Sequence, residues 1–510
     1  MRVAFIHPDL GIGGAERLIV DAAKGLQDEG HNVTIFTSHC DKSHCFEEIK
    51  QDALKVEVIG DWLPTHFQGK FKILFAILRQ LCLVWHLIWY GKVRQFDFFI
   101  VDQLSVCLPL LHLFANHSAR ILFYCHFPDL KLADHSSFIR SLYRLPFDII
   151  EQFSMSAADG IVVNSNFTKS VYEETFTLLK ELIKPDVVYP CVSLEKEVIS
   201  NSTKTIFDKF ISDKPFLLSI NRFEPKKNIE LAIESYHSFR TTSDHLKSET
   251  LKLVLTGGYD PNSQMNKEYL ADLTLKCQIL GLKLLKVLPD EYESVKCEAY
   301  DVLFLPSISS NLKELLLSES EMLLYTPSFE HFGIVPVEAM KFGTPIIAVD
   351  NGGPKESIIS LGDKKDQGFG LLLAAEPELW DKGIRTVLDS NKRQISSNAQ
   401  SRLESLFTEK AMIASFEKQM IKLLKSPRRF YIWERITGFW KIPIILILHY
   451  VFDLNSKYLT VMLIISAMPI DIFSIILSCI MTYLYFYKYE WFQDIENMKR
   501  DVSKAFAGEI

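Results

Sequence analysis

Two glutamates separated by seven residues, Glu330 and Glu338, lie in the run SFEHFGIVPVEAMKFGTPIIAVDNGGPKE that spans 328–356. His331, Phe332 and Gly333 follow the first acid, and the second falls in a stretch of helical character, 335–341. A loop carboxylate beside the exposed N–H groups of a helix start can hold hydroxyls and phosphate oxygens together. One turn into the helix, Glu338 can accept hydrogen bonds from a ribose diol. Surface acids often stand at this spacing, so the pair gains its weight from the setting: it brackets HFG and a proline between two predicted strands. Positive charge sits elsewhere, in SINRFEPKKN (219–228), where Arg222 and Lys227 follow another predicted strand. Cations fixed at such a point stabilise charge growing on a leaving diphosphate more than they stabilise the ground state. His126, in YCHFPD (124–129), also follows a strand; a lone histidine beside proline is more often structural. Glycine loops occur at Gly11, Gly13 and Gly14 with Glu16, at Gly257 and Gly258, and at Gly352 and Gly353 with Pro354 and Glu356. A glycine loop alone is weak support for phosphate binding.

Positioning these groups requires strands that end at loops. Short apolar runs at 3–6, 32–37, 98–101, 120–124 and 160–164 alternate with helical stretches such as 15–29. The rhythm repeats at 215–220, 252–256, 301–305, 321–325 and 345–349. Such runs predict buried parallel strands joined by right-handed crossovers. The chain is therefore α/β: two Rossmann-like domains facing a cleft, with ligands at the carboxyl ends of the strands. The sequence divides into a first domain at 1–205, a second at 206–425, and a hydrophobic region at 426–510.

That last region holds two apolar segments, about 437–453 and 458–487, against the ~20 residues a spanning helix needs. Basic residues flank it on both sides and only Lys457 lies between the segments. The positive-inside rule places both ends in the cytosol, as a membrane hairpin. A further apolar stretch, 71–91, spaces Lys72, Arg79 and His86 every seven residues on one narrow helix face. It suits a helix in the headgroup layer with its basic side chains towards phosphate, and equally an ordinary core helix.

The whole chain has 510 residues, 48% hydrophobic and 23% charged, with a net charge of −7. Those values exclude global disorder, and the lack of a sustained basic stretch speaks against a nucleic-acid partner. Nine cysteines at irregular spacing, without a C-x-x-C pair, read as free thiols in a reducing compartment. A four-residue apolar run ending at a glycine loop does not read as a signal peptide, and the sequons at Asn116, Asn166 and Asn201 read as chance matches.

The run around Glu330 and Glu338 resembles the Glu-x7-Glu motif of the retaining, nucleotide-sugar-dependent glycosyltransferases of family 4, which have the GT-B fold. With HPDLGIGGAERLIVDAA and CHFPDLKLA, it is similar to the dolichol-pathway mannosyltransferases of that family over essentially the whole chain. The resemblance implies transfer of mannose from GDP-mannose to a dolichyl-diphosphate-linked oligosaccharide, α1,3 then α1,6, in N-glycan precursor assembly. It implies the endoplasmic reticulum membrane, with the catalytic domains in the cytosol, and membrane lipid and other mannosyltransferases of the pathway as partners. By the same resemblance Arg222 and Lys227 contact the diphosphate, His126 lies near the transferred sugar, and Glu330 completes the catalytic set. Glu338, Gly13, Gly14, Gly257, Phe332 and Gly333 would line the donor and acceptor sites. No Asp-x-Asp occurs, Asp260 and Asp301 standing alone, so no obligatory metal or other cofactor is expected. No separate nucleophile stands out, which favours front-face substitution with the leaving phosphate taking the acceptor proton. A family 4 enzyme using a UDP-sugar or a phosphatidylinositol acceptor, or a non-catalytic membrane scaffold, are the alternatives.

Overall fold

Short apolar runs become strands, buried at every position in Phe98–Asp102 and Arg120–Cys125. The computed structural model describes residues 1–133, 138–195, 197–211, 214–242, 250–362 and 367–428. The two hydrophobic segments expected at 437–453 and 458–487 lie outside the described residues.

The first sheet contains β1 (Arg2–His7), β2 (Asn32–Thr37), β3 (Val56–Val58), β4 (Phe98–Asp102), β5 (Arg120–Cys125), β6 (Gly160–Val163) and β7 (Asp186–Val187). Its order is β3-β2-β1-β4-β5-β6-β7, and every pair is parallel. The second contains β8 (Phe216–Ile220), β9 (Lys252–Gly257), β10 (Leu284–Lys286), β11 (Val302–Pro306), β12 (Met322–Tyr325), β13 (Ile346–Val349) and β14 (Gly370–Leu373). It is ordered β10-β11-β9-β8-β12-β13-β14, again wholly parallel. These are two Rossmann-like sheets. Both lie in one compact unit, Met1–Met155 with Gly160–Ser426.

Packing at the domain margins departs from the sequence order. Helix Asn201–Phe210 contributes Phe207 and Phe210 to the core of the second sheet. Helix Glu409–Lys425 follows the second domain in sequence but packs on the first. Its apolar stripe at four-residue spacing, Met412, Phe416 and Met420, with Ile413 and Leu423, enters the core beside Leu18, Leu122 and Tyr124. Thr408 caps its start by accepting the Ala411 N–H at 3.2 Å. Arg120 on β5 satisfies its end, donating to the carbonyls of Leu423 and Ser426, both at 3.0 Å. Gly25 in helix Gly14–Asp28 allows the approach: a Cβ there would stand 2.4 Å from the Ile413 side chain.

The stretch 71–91 forms helix Lys72–Trp89, long and apolar enough to cross a membrane. Its basic stripe does not face outward as one surface. Arg79 is buried, donating to the Ser38 carbonyl at 2.9 Å and to Asp61 at 2.8 Å, because that helix face meets the loop after β2. Leu78, Trp85 and Trp89 are exposed instead, continued by Phe71 and Tyr90. The outward surface is thus apolar, with aromatic rings.

Phe416→Ala removes a fully buried ring from the seam between helix Glu409–Lys425 and the first sheet. The expected loss is about 3–5 kcal/mol, read as a lowered denaturant midpoint by far-ultraviolet circular dichroism.

Candidate active site

Arg222, Lys227, Glu330 and His126 sit in the loops that leave the carboxyl ends of the strands. After β8 the chain turns through Arg222 to Lys227, and Asn228 adopts a left-handed conformation (φ 49°) that ends the turn. Thr326, just past β12, donates to the Lys227 carbonyl at 2.7 Å and so ties the two loops. The Lys227 ammonium donates to Glu330 at 2.5 Å. Arg222 is more exposed and pairs with Glu224 at 3.1 Å. Each cation of this turn is thus paired with a carboxylate, Lys227 with Glu330 and Arg222 with Glu224, and such charged groups at a strand end can meet both a sugar and a diphosphate.

The Glu330 loop rests on the glycine pair that follows β13. Gly353 donates its N–H to the Glu330 carbonyl at 2.7 Å, and a Cβ on Gly352 (φ 67°) would stand 2.6 Å from the same oxygen. Asn351 accepts the Phe329 N–H at 2.6 Å. These contacts make the NGGP run a support for the Glu330 loop.

Glu338 lies in helix Ile334–Phe342, where Lys313 donates to its Oε1 at 2.7 Å. Its Oε2 is buried without a hydrogen-bond partner among the described residues. A buried carboxylate oxygen in that condition is suited to a ligand hydroxyl. Phe332 takes a different place: it is 4% exposed, packed between Tyr189 and Phe407. The ring belongs to the core, and Gly333 opens the adjoining helix in a left-handed conformation (φ 83°). Gly257, at the end of β9, lies against the Asn221 carbonyl.

On the first sheet, β1, β4 and β5 bring together His7, Asp102 and His126. Asp102 is fully buried and accepts from His7 Nδ1 at 2.8 Å and from His126 Nε2 at 3.0 Å. A carboxylate can only accept, so both imidazoles donate to it, and Nδ1 is the His126 ring nitrogen not used on Asp102. Burial alone would raise the Asp102 pKa, but the two histidines outweigh it and hold the carboxyl below its usual range. Burial likewise works against a charged His7, yet the Asp102 charge, its hydrogen bond and Glu16 raise His7 above its ordinary value. The Glu16 carboxylate lies 3.9 Å from His7 Nε2 and reaches back over Gly13, next to Gly14 at the helix start. His7 and Asp102 were missed in the sequence, although each is a polar residue closing an apolar strand, VAFIH and FFIVD.

The two halves meet at this point. Phe127, beside His126, stacks on His331, beside Glu330, with ring centroids 3.7 Å apart and planes 7° from parallel. Burial pulls His331 down to about 4, so the stacked ring is neutral near pH 7.

Two parallel-sheet domains with such groups at their facing loops define a GT-B glycosyltransferase. The family described as Glycosyltransferase Family 4 matches residues 12–196, and Glycosyl transferases group 1 matches 201–402. Two solved structures share the fold: a sucrose-phosphate synthase from Thermosynechococcus elongatus (TM-score 0.61, 18% identity, 83% of this chain and 99% of that one) and Anabaena HepE in complex with UDP (0.58, 18%, 83% and 100%). The chain is 49% identical to the α-1,3/1,6-mannosyltransferase ALG2 of Saccharomyces cerevisiae, over 85% of this chain and 87% of that protein. It is 48% identical to the Kluyveromyces lactis protein of the same name, over the same shares. The chain belongs to the ALG2 family of α-1,3/1,6-mannosyltransferases.

Asp102→Asn keeps the shape but replaces one acceptor oxygen with a donor, so one imidazole loses its anchor. Transfer should fall by about 10–100-fold, as expected for losing one hydrogen bond to a charged acceptor, measured as kcat with unchanged thermal stability of the second domain. His331 supplies a pH test. A base whose folded pKa is depressed contributes stability that is present above its unfolded value, about 6.5, and lost as pH falls towards 4. In His331→Phe the stack with Phe127 remains, and the decline in unfolding midpoint across that acidic window should shrink.

Proposed function

We propose that this mannosyltransferase takes mannose from GDP-mannose and transfers it, with retention, to a dolichyl-diphosphate-linked oligosaccharide, first α1,3 and then α1,6. The Lys227–Glu330 pair carries the reading, since it fixes a cation and a carboxylate at one strand end of a GT-B site. Lys227 and Arg222 meet the negative charge that develops on the diphosphate as the bond to mannose C1 lengthens. Glu330 holds Lys227 and a sugar hydroxyl, and Glu338 Oε2 accepts from the ribose. His126, its Nε2 anchored on Asp102, presents Nδ1 to the transferred sugar. The acceptor oxygen attacks C1 from the side the diphosphate leaves, and the leaving phosphate oxygen takes the acceptor proton.

The exposed apolar side of helix Lys72–Trp89 supports placement at a bilayer, where Trp85 and Trp89 would seat in the interface. That side and the hydrophobic residues of 426–510 would keep the domains on the cytosolic face of the endoplasmic reticulum, within reach of a lipid-linked acceptor.

Purified protein given GDP-mannose and the lipid-linked acceptor should add two hexose masses, and GDP should compete better than UDP. Preferential competition by UDP would overturn the donor. Glu330→Ala or Lys227→Ala should lower turnover at least ~10²-fold; near-unaltered rates would remove both from the catalytic set.

A further inference from the structure

A helix leaves its first N–H groups without partners inside the helix. In helix Asn166–Thr175 of the first domain, the local chain satisfies only some of them. Ser165 caps the start by accepting the Thr168 N–H at 2.9 Å, and its carbonyl takes the Lys169 N–H. The N–H groups of Asn166 and Phe167 are left over. Both are taken by a residue of the second domain: Glu356 Oε2 accepts from Asn166 at 2.9 Å, and Oε1 accepts from Phe167 at 3.1 Å. The same carboxylate accepts from the Asn166 side chain at 2.7 Å and from the Tyr189 hydroxyl at 2.9 Å. Ser165 then donates across the divide to the His331 carbonyl at 2.5 Å.

Glu356 is not remote from the chemistry. It stands in the short helix Pro354–Ser357, directly after Gly352 and Gly353, whose backbone supports Glu330. Its own carbonyl is held by Arg402 at 2.7 Å, so the carboxylate projects from a fixed base. One rigid segment thus supports the Glu330 loop at one end and grips the first domain at the other. The negative charge also lies at the positive end of that helix, which favours the contact.

We propose that Glu356 is a positioning residue for transfer: by completing the N-terminus of helix Asn166–Thr175 across the domain divide, it sets Glu330 and Lys227 in register with His126. It acts through the backbone and touches no substrate. The proposal rests on the active-site assignment above, and the first readout is independent of it.

Amide exchange is measured on the full-length chain without substrate. Glu356→Ala should speed exchange at Asn166 and Phe167 by about 10-fold or more, since each loses a hydrogen bond to a charged acceptor, while exchange in the core strands stays unchanged. Transfer, measured with whichever sugar nucleotide the unaltered enzyme uses, should lose kcat with little change in donor KM. Asn166→Asp supplies a variant that favours its own helix but repels Glu356; it should lower kcat, and adding Glu356→Gln should restore much of the loss, because an amide can donate to the new carboxylate. Unchanged exchange at Asn166 and Phe167 in Glu356→Ala would overturn the contact. Faster exchange with unchanged kcat, or no restoration in the paired variant, would overturn the positioning role.

Discussion

Every strand in both sheets runs parallel to its neighbours, and this constraint decides where chemistry can reside. A parallel sheet is covered on both faces by its crossovers, so its strands are buried and carry few functional side chains along their length. What remains available is the edge where strands end and loops begin. His7 and Asp102 close β1 and β4, while His126, Lys227 and Glu330 follow β5, β8 and β12. The strand ends supply rigid origins, and the loops need to be held only over a few residues.

Those loops are held chiefly through their own backbone carbonyls. Thr326 binds the Lys227 carbonyl, Gly353 binds that of Glu330, and Ser165 reaches the carbonyl of His331. Side chains are consequently left for charge and proton work. The first domain differs in using a buried carboxylate, Asp102, to orient two imidazoles at once. Its desolvation is offset only because both partners donate to it.

The fold was legible where the sequence is uniform. Runs such as FLLSI and RILFYC have no reading other than a buried strand, and the alternation with helices follows. The edge strands were not legible: β3, β7, β10 and β14 have only two to four residues and are largely half-exposed. Glu330, Glu338, Lys227 and His126 stood out by motif and position; the structure puts Glu330, Lys227 and His126 in loops after strand ends and Glu338 in helix Ile334–Phe342. Asp102 did not, because its meaning depends on two residues 95 and 24 positions away. Arg79 misled for the same reason. Spacing placed it on a face with Lys72 and His86, and only tertiary contact with Ser38 and Asp61 turned it inward.

The return of helix Glu409–Lys425 onto the first sheet bears on how the protein is made. A domain whose strands are all encoded before residue 190 would ordinarily finish folding while the rest is still being synthesised. Here its core lacks Met412, Phe416 and Met420 until the second domain has left the ribosome. The earlier half must wait, with an apolar groove over Leu18 and Leu122, for helix Glu409–Lys425 to arrive. The order of translation and the order of completion are therefore reversed, and the first domain to emerge is the last to close.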